Sequence, residues 1–381
     1  MSAKEQDKKN KEINSFIESL KTTDTFEHPF IEKDNINPDA VKNLTIKKIK
    51  NYKLAMKEKS LKKTKLESRP YRIVIDPVNA CNLGCPLCPT GLKKSERKKS
   101  IMDFNFFKKI IDEVQEYCIE AHLYNWGEPT LYKQLINMIK YCSDKNIWTR
   151  ISTNFSLKYK EGYIKNLIHS GLSLLHIDID GIGQEVYSKY RIRGDYDLVI
   201  KNLKETVKIK KESKLKYPLI EIAMLAMRQN EHQHKEFLNF REEFGVDIVK
   251  IDKIQHNPNM DEGWLPKNKK LIYKSYEGGE ASSNSSSDTK IVQCHWPWSG
   301  IVVNPDGGIN PCCIIDDPKS DFHNLNGKKI SEIWNSKEYI SSRSEFSDKS
   351  EIHKNTICNV CKNQTHSKRL SRVSKTFAIK L

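Results

Sequence analysis

Three cysteines stand close together in the run Cys81-Asn-Leu-Gly-Cys85-Pro-Leu-Cys88. Three thiolates on one short loop can each take one iron of a cubane 4Fe–4S cluster, which leaves the fourth iron without a protein ligand. An open coordination position is what lets a metal bind and activate a small molecule. A structural zinc site would ask for four ligands at closed spacing, and no fourth Cys or His lies near this triplet in the sequence. A second set, Cys294, Cys312, Cys313, Cys358 and Cys361, lies near the end of the chain.

The elements around the triplet alternate. Arg72–Val78 is a short apolar run that predicts a buried strand directly before Cys81. Asp103–Val114 has helical spacing with Asp103 as N-cap. Further strands are expected near Ala121–Tyr124, Trp148–Thr153, Leu174–Ile179, Leu219–Ala226 and Asp247–Ile251. Helices are expected near Leu131–Cys142, Glu161–His169, Tyr196–Lys210 and His232–Phe244. Six strands with intervening helices imply repeated βαβ units and a parallel sheet, an α/β fold. Ligands in α/β barrels sit on loops at the carboxyl ends of strands, which is where the triplet falls.

More polar segments follow successive predicted strands. Asn125-Trp126-Gly127-Glu128-Pro129 follows the second, Ser152-Thr153-Asn154 ends the third, and Asp178-Ile-Asp180-Gly181 ends the fourth; Tyr190-Arg191-Ile-Arg193-Gly194 comes next. Together with the triplet, these segments resemble the signature of the radical S-adenosylmethionine (radical SAM) superfamily over residues 72–195. The resemblance implies a partial (β/α)6 TIM-type barrel over 69–255, in which Cys81, Cys85 and Cys88 hold a 4Fe–4S cluster that binds and cleaves SAM. It further implies that Glu128 binds the SAM ammonium, that Ser152 and Asn154 contact its carboxylate and ribose, that Asp178 faces the ribose, and that Arg191, in preference to Arg193, meets the carboxylate. Trp126 stands where relatives carry Gly, and Leu87 where they carry an aromatic beside the adenine.

The second cysteine set, with Asp306-Gly307-x4-Cys312, the Glu-Ile-Trp run ending at Trp334 and Cys358-Asn-Val-Cys361, resembles the SPASM/Twitch extension of the same superfamily. That resemblance implies one auxiliary 4Fe–4S cluster on Cys294, Cys312, Cys358 and Cys361, with Cys313 spare. Four thiolates would also suit zinc. The extension is expected over 291–381, small in core and in need of a metal. A linker, partly flexible, spans 256–290, where Glu-Gly-Gly-Glu-Ala-Ser-Ser-Asn-Ser-Ser-Ser-Asp cannot bury apolar surface. Residues 1–68 read as a helical N-terminal arm, with helices over Ile13–Leu20 and Asp39–Ile49.

Cys118 and Cys142 fall at apolar helix positions and read as buried thiols. His122 and His176 read as barrel-wall residues. The chain has 381 residues, 37% hydrophobic and 30% charged, with net charge +16. No apolar run reaches the ~18 residues that span a bilayer, and the N-terminus lacks a secretory core. A cytoplasmic enzyme is expected, with no nucleic-acid partner because no basic stripe interleaves with aromatics, and no membrane partner. The expected reaction is hydrogen abstraction by a 5′-deoxyadenosyl radical from a small hydroxylated, anionic substrate such as a sugar, aminocyclitol or nucleotide sugar, giving oxidation or epimerisation. An electron donor such as flavodoxin or ferredoxin is implied. The alternatives are a maturase of a ribosomally made peptide and, outside enzymes, a cysteine-rich zinc-binding interaction protein. The sequence assigns no catalytic acid or base.

Overall fold

The computed structural model describes residues 44–255, 260–273, 294–347 and 355–362, with isolated positions 11 and 15. The linker's Ser-rich run and most of the helix expected over Ile13–Leu20 lie outside the described residues. The first described helix, α1, spans Ile46–Ser60, capped by Thr45, whose side chain accepts from the Lys48 N–H at 3.2 Å. Its spacing puts Ile49, Tyr52 and Ala55 on one face. They pack on Tyr71, Ile119, Trp148 and Leu174, at the starts of successive strands. The helix therefore closes the N-terminal end of the barrel. Lys48 is buried on that face and donates to the Asn146 carbonyl at 2.6 Å; burial pulls its pKa down to about 8.

The strands are β1 (Arg72–Ile75), β2 (Glu120–His122), β3 (Trp148–Thr153), β4 (Leu174–Asp178), β5 (Leu219–Leu225) and β6 (Ile248–Asp252). The helices between them are α2 (Phe104–Val114), α3 (Leu135–Asp144), α4 (Tyr163–Ile168), α5 (Gln184–Tyr190), α6 (Tyr196–Glu212) and, before β6, α7 (His234–Phe244). All neighbouring pairs from β1 to β6 are parallel. This is the expected partial barrel, and Asp103 caps α2 by accepting from the Phe106 N–H at 2.8 Å. The apolar side chains of the strands face the helices: Ile73, Ala121, Ile151, Leu175 and Ile222 share one core with Phe107, Leu135, Leu167 and Phe237. Cys118 and Cys142 are fully buried in it. Two departures are local. The helix expected from Leu131 begins at Leu135, after a single 3-10 turn over Pro129–Leu131; and α5 had no counterpart in the sequence reading.

Beyond two short parallel strands, β7 (Ile254–Gln255) and β8 (Ile272–Tyr273), the extension contains α8 (Trp296–Ser299), β9 (Gly300–Val303), β10 (Gly308–Asn310), β11 (His323–Asn324), α9 (Ile330–Ile333), α10 (Lys337–Ser344) and α11 (Ile357–Lys362). The sheet is nine-stranded and open, in the order β11-β10-β9-β1-β2-β3-β4-β5-β6. β9 lies parallel to β1, pairing Gly300 with Arg72 through to Val303 with Ile75. An open barrel leaves the β1 edge unpaired, and β9 covers it. Gly300 permits the approach, since a Cβ there would sit 2.7 Å from the Arg72 carbonyl oxygen. Trp298, Ile301, Val303, Trp334 and Phe346 belong to the same core as the barrel. The extension thus draws apolar burial from the barrel as well as from any metal it holds.

Candidate active site

The cysteine loop leaves β1 at Ile75 and is pinched shut by Asn79, whose side chain accepts from the Ser100 N–H (2.7 Å) and donates to the Lys98 carbonyl (2.8 Å). Within it Cys85 is buried, while Cys81 and Cys88 are half-buried. Gly91 lets the loop fold back on its own ligand, for a Cβ there would lie 2.5 Å from the Cys85 carbonyl oxygen. Leu83, Tyr190, Met227 and Ile254 form an apolar shell around the thiols. Burial pushes the Cys81 thiol up to about 12 and Cys85 up to about 11, so the metal-free thiols keep their protons and iron binding must release them. Donors wait for the resulting thiolates: the Leu83 N–H at 3.4 Å and Asn154 Nδ2 at 3.7 Å from Cys81 Sγ, and Arg191 Nη1 at 3.9 Å from Cys85 Sγ. Among the described residues no three His, Cys, Asp or Glu side chains converge on one ion. A cubane takes one thiolate per iron, and the loop offers three cysteines. The donor set fits the cluster.

The residues expected to hold SAM meet around this loop. Glu128, at the end of the segment after β2, is buried. Its carboxylate accepts from Thr130 N (3.1 Å), Thr130 Oγ1 (2.6 Å), Thr153 Oγ1 (2.6 Å) and Asn154 N (2.8 Å). Burial raises its pKa against these four donors. Glu128 therefore braces the ends of β2 and β3 in addition to the ligand contact the sequence suggested. Asn154 bridges Asn82 Oδ1 (2.9 Å) and Cys81. Ser152 Oγ donates to Asp178 Oδ2 at 2.8 Å. Arg191, just past α5, lies 2.5 Å from Asp180 and 3.4 Å from Asp178. Arg193 is turned away, donating to the Leu83 carbonyl at 2.5 Å. Glu128→Ala would remove the carboxylate expected to meet the SAM ammonium, so SAM binding should weaken by about 1.5–3 kcal/mol, the scale of a hydrogen bond to a charged group. Glu128→Gln, which can still accept through its amide oxygen, should lose less. Equilibrium SAM binding measures both, and an unchanged affinity in the Ala variant would remove Glu128 from the site.

The sequence reading missed a second layer, one step nearer the barrel floor. Arg150 on β3 donates to Glu221 on β5 at 2.9 Å and lies 3.1 Å from His176 Nδ1 on β4. His176 contacts Glu221 through Nδ1 and Asp178 through Nε2, the latter at 3.2 Å. Lys250 on β6 reaches Glu221 at 3.3 Å and Asp252 at 3.5 Å. Burial opposes ionisation here, but Asp178 and Glu221 hold the His176 imidazolium above its ordinary pKa, and His176 and Arg150 hold Glu221 down to about 2. Thus His176 is a barrel-wall residue with partners on both ring nitrogens. The signal for this layer was the two-residue alternation of Arg150 with Ser152, His176 with Asp178, and Lys250 with Asp252, which puts each pair on one face of its strand.

At the other end, Gly307 (φ 85°) turns the β9–β10 hairpin and sends the chain to Cys312 and Cys313. The two neighbours face different surroundings. Cys312 lies, like Cys358, within electrostatic reach of Tyr339. Cys313 lies within reach of Arg72 and of Tyr124 at the barrel mouth. Cys358 and Cys361 both belong to α11. Cys358 is buried, and Cys294 is half-buried against the same core.

Residues 75–240 match the family model described as the radical SAM superfamily, and residues 294–362 match one described as an iron–sulfur cluster-binding domain, SPASM. Among curated proteins, the chain is 26% identical over 205 residues to a PqqA peptide cyclase of Bradyrhizobium diazoefficiens, covering 53% of this chain and 50% of that protein. It is 23% identical over 294 residues to a tungsten-containing aldehyde ferredoxin oxidoreductase cofactor-modifying protein of Pyrococcus furiosus, covering 70% of this chain and 81% of that protein. The chain therefore spans half the length of the first and most of the second. Among solved structures, SuiB of Streptococcus suis bound to S-adenosylmethionine superposes with a TM-score of 0.61 at 17% identity, over 94% of this chain and 86% of that one.

Proposed function

We propose that this chain, matching the radical SAM superfamily over 75–240 and the SPASM iron–sulfur domain over 294–362, is a radical SAM enzyme that holds a SAM-binding 4Fe–4S cluster and an auxiliary one and matures a ribosomally made peptide or protein by radical modification of a residue. The observation that carries this reading is the similarity to a peptide cyclase across about half the chain. The similarity to a peptide cyclase favours this reading over the small hydroxylated, anionic substrate expected from sequence.

In this reading Cys81, Cys85 and Cys88 hold the first cluster, and Cys294, Cys312, Cys358 and Cys361 the second. With both bound, the cluster and SAM would supply radical hydrogen-atom abstraction. The chain's own residues do the rest by placement. Ser152 and Asp178 offer a hydroxyl and a carboxylate to the ribose. Asn154 and Arg191 stand between the cysteine loop and the barrel mouth, and the Asp178–Asp180 pair fixes the guanidinium's direction. Arg150, His176, Glu221 and Lys250 line the space below with donors and acceptors already oriented. Leu83, Tyr190 and Met227 keep bulk water from the cluster side. Electrons must come from outside, from a donor of the flavodoxin or ferredoxin type.

The test uses a precursor peptide encoded beside the gene, deuterated at Cα and Cβ of candidate residues. Anaerobic turnover should move one deuterium into 5′-deoxyadenosine and change the peptide's mass. Label arriving only from a hydroxylated small molecule would return the reading to a dehydrogenase or epimerase.

A further inference from the structure

Trp126 occupies a place where the resembling segment has glycine, and the fold gives its indole a partner. Nε1 donates to the Ile315 carbonyl at 3.2 Å. Ile315 is buried two residues past Cys313, and its own N–H donates to the Cys312 carbonyl at 3.5 Å. On the other side, the Trp126 N–H donates to Asp76 Oδ2 at 3.2 Å. Gly127 runs so close to Val78 that a Cβ there would fall 1.5 Å from its carbonyl oxygen. Residues 125–128 therefore have no slack: a shift at Glu128 must be felt at the indole, and from there at the Cys312 carbonyl. Ser95 and Arg97 also tie the two halves together, to Asp316 at 3.0 Å and to Asp306 and Asp321 at 2.5–2.8 Å. They hold the cysteine loop, however, and leave the Glu128 segment to Trp126 alone among these ties.

We infer that Trp126 is a positioning residue that links the SAM-binding segment to the auxiliary-cysteine segment, so that loading the second cluster seats residues 125–128 and tightens SAM. Linkage is reciprocal, so SAM in turn steadies the segment that follows Cys312. The inference rests on the reading of Cys312 as an auxiliary-cluster ligand.

The test is a double-mutant cycle on the full, anaerobically reconstituted chain: wild type, Trp126→Phe, Cys312→Ala and the double variant, each measured for iron content and for equilibrium SAM binding. Cys312→Ala should lose about four irons and bind SAM about fivefold more weakly, a typical coupling. Trp126→Phe should keep its iron, lose a similar factor, and lose no more when Cys312 is also replaced. Wild-type affinity in Trp126→Phe, or losses that multiply in the double variant, would overturn the link. Full iron in Cys312→Ala would overturn it too, and that count separates failure of the ligand reading from failure of the link. Hydrogen exchange over residues 312–317 gives a second readout that needs no cysteine variant. Added SAM should slow it in wild type and leave it unchanged in Trp126→Phe; equal slowing in both contradicts the inference.

Discussion

Replacing Cys81, Cys85 and Cys88 together by Ala should take the reconstituted enzyme from about eight irons per chain to about four and reduce 5′-deoxyadenosine formation to background. The fold should survive, because the loop is held by groups other than its thiols: Asn79 pinches its ends, and Met102 N bonds back to the Pro77 carbonyl at 2.9 Å. The remaining irons would then report the C-terminal set in isolation. Iron and acid-labile sulfide assays, with electron paramagnetic resonance of the reduced protein, measure this. Zinc at full occupancy in the triple variant would assign the C-terminal cysteines to a closed tetrahedral site and refute the auxiliary cluster.

The second large effect is expected at Arg343, on α10. It is fully buried, and among the described residues no carboxylate is among its hydrogen-bond partners. Its guanidinium donates to Pro297 O (2.8 Å), Thr64 O (3.0 Å), Asn335 Oδ1 (3.0 Å) and Trp334 O (2.7 Å), and lies 4.5 Å over the Trp334 ring. Burial brings its pKa down to about 9. One side chain thus ties the segment before β1 to three parts of the extension. Arg343→Met would keep most of the apolar stem yet leave the buried Pro297, Thr64 and Trp334 carbonyls without a donor, Asn335 Oδ1 keeping the Leu66 N–H at 3.0 Å, at a cost on the order of 3–5 kcal/mol. Arg343→Lys keeps the charge but cannot reproduce the planar fork, so it should fall between the two. Anaerobic denaturant titration reads the loss directly. An unchanged midpoint in the Met variant would show that the three carbonyls are satisfied by water.

What the sequence made legible follows from distance along the chain. The Cys81–Cys88 loop, the Trp148–Thr153 strand and the Asp103 cap depend on residues that are neighbours in sequence, and each is found where its pattern placed it. The Arg150–Glu221 and His176–Glu221 contacts join residues 71 and 45 apart. Their strands read correctly as strands, but nothing local says that alternate positions carry opposite charges across the barrel. The β9–β1 pairing was hidden for the same reason: Gly-Ile-Val-Val is too short to announce a partner at the far end of the chain. Helix α5 was missed for a different cause. Its first residue follows Gly183 with no side-chain cap, and it runs only from Gln184 to Tyr190, so it lacks both a start signal and the length that makes periodicity visible. Trp126 could be seen as a departure from a pattern, but its reason, a carbonyl 189 residues onward, could not.

The position of α1 has a consequence for how a long substrate is handled. Tyr52 and its neighbours on that helix cover the starts of the strands, with Trp148 and Leu174 packed beneath them. The lumen is therefore a cul-de-sac. A polypeptide cannot be threaded through it from one end to the other, as a ring-shaped translocase would do. On the proposed reading, a peptide would present a terminus or a bent-back loop at the end of the barrel that α1 leaves uncovered. If the substrate is a peptide, as proposed, each target residue would have to reach the radical from that one end, and α1 would set how deep it can go.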